Sequence, residues 1–206
     1  MIHYVINMDG LAEIEAALGK SKDKSKMALR TAINNAAKEV EKRMAKEAGQ
    51  RYARHEGGMR PYREINSIKK AKVGKLEAII EAKDRASDLY DYKLSSRTYF
   101  PGSVGAPNWI KAKQMKSAKM QKMALRKTGR DKYKAFVVRY QNGHIALAER
   151  IPGTHMKGRP EKEAIRSLYA TSKPKAEEVV FKRDIDDEVQ DILARNIEAQ
   201  IYRYMG

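Results

Sequence analysis

"YQNGHIALAER" runs from Tyr140 to Arg150 and places an Asn-Gly pair between two apolar segments. Before it, in "KAFVVRY" (Lys134 to Tyr140), Phe136 and Val138 point one way and Val137 and Arg139 the other. After it, Ile145, Leu147 and Glu149 share a face. Alternation over short runs is the mark of strands. Asn142 and Gly143 both tolerate positive φ, so the pair predicts a tight type I′ hairpin.

Working outward, "AIRSLYA" (Ala164 to Ala170) reads as a further strand behind the Gly- and Pro-bearing loop "IPGTHMKGRPEKE". Lys173 and Pro174 lead towards a last helix over Asp184 to Tyr204, with Ile185, Val189, Ile192, Ile197, Ile201 and Tyr204 on its apolar stripe. Its acids Asp184, Asp186 and Asp187 sit at the positive end of the helix dipole and Arg203 near the negative end. Upstream, "IHYVI" (Ile2 to Ile6) is β-prone, and "GLAEIEAALG" reads as a short helix capped by Asp9. Lys20 to Ala48 reads as a long helix, because Met27, Arg30, Ile33, Ala37, Val40, Met44 and Ala48 recur at spacings of three and four. "GQRYARHEGGMRPY" breaks that pattern. "EINSIKKAKVGKLEAIIEAKD" predicts a hairpin turning at Val73–Gly74–Lys75. "SDLYDYKLSSRTYFPGSVGAPNWIKAK" reads as a long loop, and Lys111 to Lys127 as helical with a poor apolar stripe. The sum is an α+β fold. One antiparallel sheet is packed by a long N-terminal helix and a C-terminal helix, and an extended basic loop or arm leaves it. Residues 1–206 read as a single domain with a basic insertion at about 95–134.

The chain has 206 residues and a net charge of +17, which favours polyanions or acidic protein surfaces and says nothing about fold. Between Lys111 and Lys134 ten Lys or Arg face one acid, Asp131, so this segment alone carries +9. Glu177 to Tyr204 runs the other way, with eight acids against four bases, or −4. With no cysteine, a disulfide framework and thiolate chemistry are excluded. No apolar run reaches the ~18 residues that a membrane span needs, and the N-terminus lacks the pattern of a secretory signal.

In combination, "KAFVVRYQNGHIALAER", the basic Gly-rich loop and "EAIRSLYATSKPKAEE" resemble the C-terminal half of the prophage minor tail protein Z family. The positions that carry the likeness are Phe136, Gly143, His144, Arg150, Ile165, Leu168, Ser172 and, loosely shifted, Pro174. "LYDYKLSS" is similar to the family's aromatic-Lys-small element. The motif likeness covers roughly Leu89 to Glu178. Ala146 stands where the family usually has Gly, Ala170-Thr171 replace its Gly-Pro, and the Lys-rich stretch from Lys111 is not a hallmark. The resemblance implies a structural minor tail protein of a long-tailed phage or prophage. Such a protein completes the head-proximal end of the tail and enables head–tail joining, as a ring of copies around the DNA path. Its expected partners are other tail proteins (the terminator or tube) and the head connector. It would be found in the virion tail and assembled in the bacterial host cytoplasm.

Site chemistry is sparse. His3, His55, His144 and His155 show no metal-ligand spacing, and no nucleophile elbow, Walker loop or dinucleotide fingerprint occurs. The expectation is therefore no enzyme, no catalytic residue, no cofactor and no metal. Lys111, Lys113, Lys116, Lys119, Lys122, Arg126, Lys127 and Arg130 have three readings. They contact DNA phosphates, dock on an acidic partner such as the C-terminal helix of another copy, or form a solvated arm. Trp109 either stacks on a base or anchors the loop. His144 is a hairpin-tip residue with a local hydrogen bond or a subunit contact; Arg150 is a solvated strand end or an inter-subunit ion-pair partner. The alternative to the tail protein is a non-specific nucleic-acid binder using the Lys-rich segment 111–134.

Overall fold

The apolar spacing between Lys22 and Arg51 produces a helix because small or aliphatic residues recur every third or fourth position and most of the facing positions are charged or polar. The computed structural model of the chain describes residues 1–7, 22–101, 109–123, 127–128, 131–132 and 134–205. The short helix expected after Asp9 lies outside these residues. The fold is α+β. Where the sequence reads as one domain, the packing divides the chain into two compact units. One unit comprises Met1–Gly49, Gly58–Asp84 and Lys173–Gly206, the other Gln50–Gly57 and Arg85–Ser172.

In the first unit, β1 (Ile2–Ile6) and β2 (Asn66–Lys69) flank β3 (Ala78–Ala82) in an antiparallel sheet. Ile80 pairs with Tyr4 on one side and with Ile68 on the other. The hairpin turns at Val73 and Gly74, and Lys72 and Lys75 exchange backbone hydrogen bonds across it. Alternation buries Tyr4, Ile6, Ala78, Ile80 and Ala82 on one face. Helix α1 (Lys22–Arg51) contributes Leu29, Ile33, Val40, Met44 and a series of buried alanines. Leu29 lies inward where the sequence pattern suggested Met27, which is exposed. Asn34 holds the β2–β3 hairpin to α1: its Oδ1 accepts from the Ala71 N–H at 2.8 Å, and its Nδ2 donates to the Ala71 carbonyl at 3.3 Å. Gly49 does not stop α1. A Cβ there would sit 2.5 Å from the Gly58 carbonyl oxygen, so glycine is needed for close approach. Gly57 and Gly58 take φ of 51° and 73° in the turn that brings this carbonyl up. A short helix, α2 (Arg60–Arg63), follows and buries Tyr62.

The C-terminal helix begins eleven residues before the expected Asp184. It consists of α3 (Lys173–Val180), one π-helical turn (Phe181–Ile185), a 3-10 turn (Asp186–Glu188) and α4 (Val189–Met205). The π turn has a reason in the sequence. A regular helix places the residue four after Val180, Asp184, over the core; one extra residue brings Ile185 there instead. Ile185 is 2% exposed and continues a buried stripe through Val189, Ile192, Leu193 and Ile197. Arg43 pairs with Glu188 at 2.6 Å, and Arg195 with Glu39 at 3.2 Å, tying α1 to this segment.

Glu177 of α3 is fully buried. Asn66 Nδ2 donates to its Oε1 at 2.9 Å, while Oε2 has no hydrogen-bond partner. Burial pushes its carboxyl up to about 8, against the Asn66 hydrogen bond and with help from Glu41. Tyr4 is raised too, first by burial and then by Glu177 and Glu178.

The second unit is built from short antiparallel pairs rather than the single sheet expected. β10 (Phe136–Arg139), β11 (Ile145–Arg150) and β12 (Ile165–Ser167) form one sheet with β11 in the centre. Ala146, Leu147, Ala148 and Glu149 are all buried, so β11 is covered on both faces. The hairpin loop has three residues rather than two. Tyr140 N–H donates to the His144 carbonyl at 2.8 Å and Gly143 N–H to the Tyr140 carbonyl at 2.9 Å. Gly143 takes φ of 82°, the left-handed residue that follows a type I turn in such loops. After Leu168, whose N–H donates to the Leu147 carbonyl, the chain moves to another pairing: β13 (Tyr169–Ala170) with β4 (Ser87–Asp88).

Two stability predictions follow from the first unit. Glu177 keeps its proton in the folded chain up to about pH 8, whereas the unfolded chain loses it near the ordinary carboxylate value of 4.5. Between those values unfolding releases a proton, so stability falls as pH rises. Glu177→Gln should melt close to wild type at pH 5 and be more stable at pH 8, by on the order of a few kcal/mol. Gly49→Ala should destabilise by ~2 kcal/mol or more in denaturant titration, because the methyl meets backbone.

Candidate functional site

The Lys-rich segment is not helical where the structure describes it. Lys111–Lys113 is a strand, β6, between β5 (Lys93–Leu94) and β7 (Gln121–Lys122). The extended chain of Ala53 supports the group: its N–H donates to the Gln114 carbonyl and its carbonyl accepts from Lys93, both at 2.8 Å. Arg54, 8% exposed, reaches Ser87 Oγ at 3.2 Å and Asp91 at 3.5 Å, and lies over the Tyr92 ring. Tyr92 closes the cluster by donating its hydroxyl to the Thr171 carbonyl.

Registry decides what this small sheet presents. Lys93 faces Lys113, Leu94 faces Ala112, Lys111 faces Lys122 and Ala112 faces Gln121. Leu94 and Ala112 are buried, so the period of two puts Lys93, Lys111, Lys113 and Lys122 together on the opposite face. Lys93, Lys111 and Lys122 are exposed and Lys113 is half-buried. Lys113 Nζ donates to the Lys116 carbonyl at 2.8 Å. No carboxylate pairs with these four among the described residues. Like charges directly opposite one another destabilise a strand pair, and here there are two such pairs.

Trp109 is half-buried, and its ring carries two ammonium groups, Lys122 Nζ at 5.6 Å and Lys134 Nζ at 5.4 Å from the centroid. These are cation–π distances, so the ring gathers lysines to this end of the sheet. Lys116 and Lys119 are exposed on the connection from β6 to β7. Lys127 belongs to β8 (Lys127–Thr128), which pairs with β9 (Asp131–Lys132). Arg126 and Arg130 lie outside the described residues. Lys93 is the member that sequence reading missed. "LYDYKLSS" reads as loop, and only the pairing of Leu94 with Ala112 brings Lys93 beside the lysines of 111–122.

The hairpin residues are engaged within their own unit. His144 Nε2 lies 2.8 Å from Asp88 Oδ2, its ring stacks on Tyr140, and its N–H donates to Asn142 Oδ1 at 3.1 Å. Arg150 is exposed and sits over the Phe136 ring at 5.5 Å, with no carboxylate paired to it among the described residues. Between them, buried Glu149 accepts hydrogen bonds from the Arg166 guanidinium on β12. Among the described residues no group of three or more His, Cys, Asp or Glu could hold a metal ion, and no helix is long and apolar enough to cross a membrane.

No family model, curated protein or solved structure matches this chain.

The like-charged pairs give a direct prediction. Lys93→Glu places a carboxylate opposite Lys113, and its thermal midpoint at low salt should rise by about 1–3 °C. The gain should shrink at about 1 M salt, where the screening length falls to ~3 Å.

Proposed function

We propose that the chain is a structural minor tail protein of a phage or prophage, which completes the head-proximal end of the tail and enables head–tail joining. What carries this reading is the gathering of the family-like positions. Phe136, Gly143, His144 and Arg150 lie in one hairpin, and Ile165 joins them on the third strand of the same sheet. Arg150 pairs in register with Ile165, and Leu168 is hydrogen-bonded to β11 at the point where the chain leaves that sheet. Five of the eight positions that carry the likeness thus share one sheet and its hairpin tip, which supports the reading; Ser172 and Pro174 lie beyond that sheet.

In this reading the protein works as a ring of copies, next to other tail proteins and the head connector, in a virion tail assembled in the host cytoplasm. Heterologous contacts that close into a ring need complementary patches on one subunit. The +9 segment and the −4 C-terminal stretch supply opposite charge for them. No catalytic residue, cofactor or metal is part of the role.

Deleting the gene and imaging an induced lysate by negative-stain electron microscopy tests it. The expected result is filled heads beside separate tails, with virions restored when purified protein is added. Normal infectious virions from the deletion would overturn the proposal.

A further inference from the structure

We propose that the lysine face of β5, β6 and β7 is a binding site for the phosphate backbone of nucleic acid, with Lys93, Lys111, Lys113 and Lys122 as its principal contacts. The inference rests on how the charges are held and does not depend on a role in tails.

The first observation is one-sidedness. The buried pair Leu94 and Ala112 fixes which face is solvated, and every residue that alternation delivers to that face on β6 is a lysine. Lysines on adjacent strands stand ~4.8 Å apart and those at i and i+2 ~6.7 Å apart. This is a two-dimensional array of cations, not a single row. The second observation is like charge set opposite like charge in both lysine pairs, with no carboxylate paired to them among the described residues. A ligand with closely spaced negative charge offsets this, and a nucleic-acid duplex presents one charge per ~1.7 Å of axis.

The third observation separates phosphate from other anionic partners. Protein interfaces centre on aromatic and apolar anchors and are depleted in lysine. Here the apolar residues of β5 and β6 point the other way, into the unit. The Trp109 ring is overlaid by Lys122 and Lys134 rather than left open for a base. Charge and reach are what the face offers. Those suffice for phosphate contacts and carry no sequence information. Binding should therefore be indifferent to base sequence.

The test is a salt titration of duplex DNA binding by the full chain and two charge-matched variants. One variant carries Lys93→Gln, Lys111→Gln, Lys113→Gln and Lys122→Gln. The control carries Lys42→Gln, Lys46→Gln, Lys70→Gln and Lys72→Gln, four exposed lysines of the other unit. Wild type should lose about a hundredfold or more in affinity between 50 and 200 mM salt, log-linearly. The face variant should lose about 3.6 from the log–log slope, roughly 0.9 for each contact removed, while the control stays near wild type. Arginine at the same four positions should keep the slope, which separates lost charge from lost folding. Equal losses in both variants would show a diffuse field and overturn the site. So would a face variant that binds like wild type, or no duplex binding at 50 mM salt. If the face variant instead abolishes a salt-sensitive self-association and duplex is not bound, the partner is an acidic protein surface and the proposal fails. None of these outcomes bears on head–tail joining, which the lysate imaging decides separately.

Discussion

Once Leu94 and Ala112 are buried, the period of two along a strand leaves no freedom for the lysines around them. Lys93, Lys111, Lys113 and Lys122 must emerge together, whatever repulsion that brings. Neighbouring backbone of the second unit supports the strands that carry those two apolar residues. The extended chain around Ala53 is hydrogen-bonded between Lys93 and Gln114, and buried Arg54 braces it against Ser87, Asp91 and the Tyr92 ring. A chain of +17 could have dispersed these cations among carboxylates, as it does at Lys69, Lys175 and Lys182. On this sheet it concentrates them.

The first unit obeys a different constraint, the close approach of helices to their neighbours. Alanines along α1, the glycine at 49 and the extra residue of the π turn are three solutions to it. Each removes bulk or rotates a charge away from the core. Glu177 is the exception, a carboxyl kept inside with one oxygen hydrogen-bonded and one not. Such a group costs stability, and its retention sets a pH dependence on the whole unit.

How far the sequence could be read depended on the length of each element. The long helix, the β2–β3 hairpin and the β10–β11 hairpin were legible because their patterns repeat several times or are bounded by Gly-bearing turns. The size of the hairpin loop was not, since Asn142-Gly143 suits both a two-residue turn and a three-residue loop with one left-handed glycine. The Lys-rich segment misled for a physical reason. Lysines at 113, 116, 119 and 122 repeat every three residues and imitate a helix, while strands of two or three residues are too short to impose a period of their own. Ala112, the residue that sets the face, is too small to announce itself as core. The early start of the C-terminal helix was hidden by Pro174, which a helix tolerates in its first turn. The partnership of Asn66 with Glu177 spans 111 residues and leaves no local signal.

The central claim is that Lys111–Lys113 and Gln121–Lys122 are paired strands showing a lysine face, and backbone NMR of the labelled protein tests it most directly. The account expects strand-like carbon shifts at Lys111–Lys113 and cross-strand proton contacts from Ala112 to both Leu94 and Gln121. Helical shifts through this segment, with sequential i to i+3 contacts and none to Leu94, would contradict it.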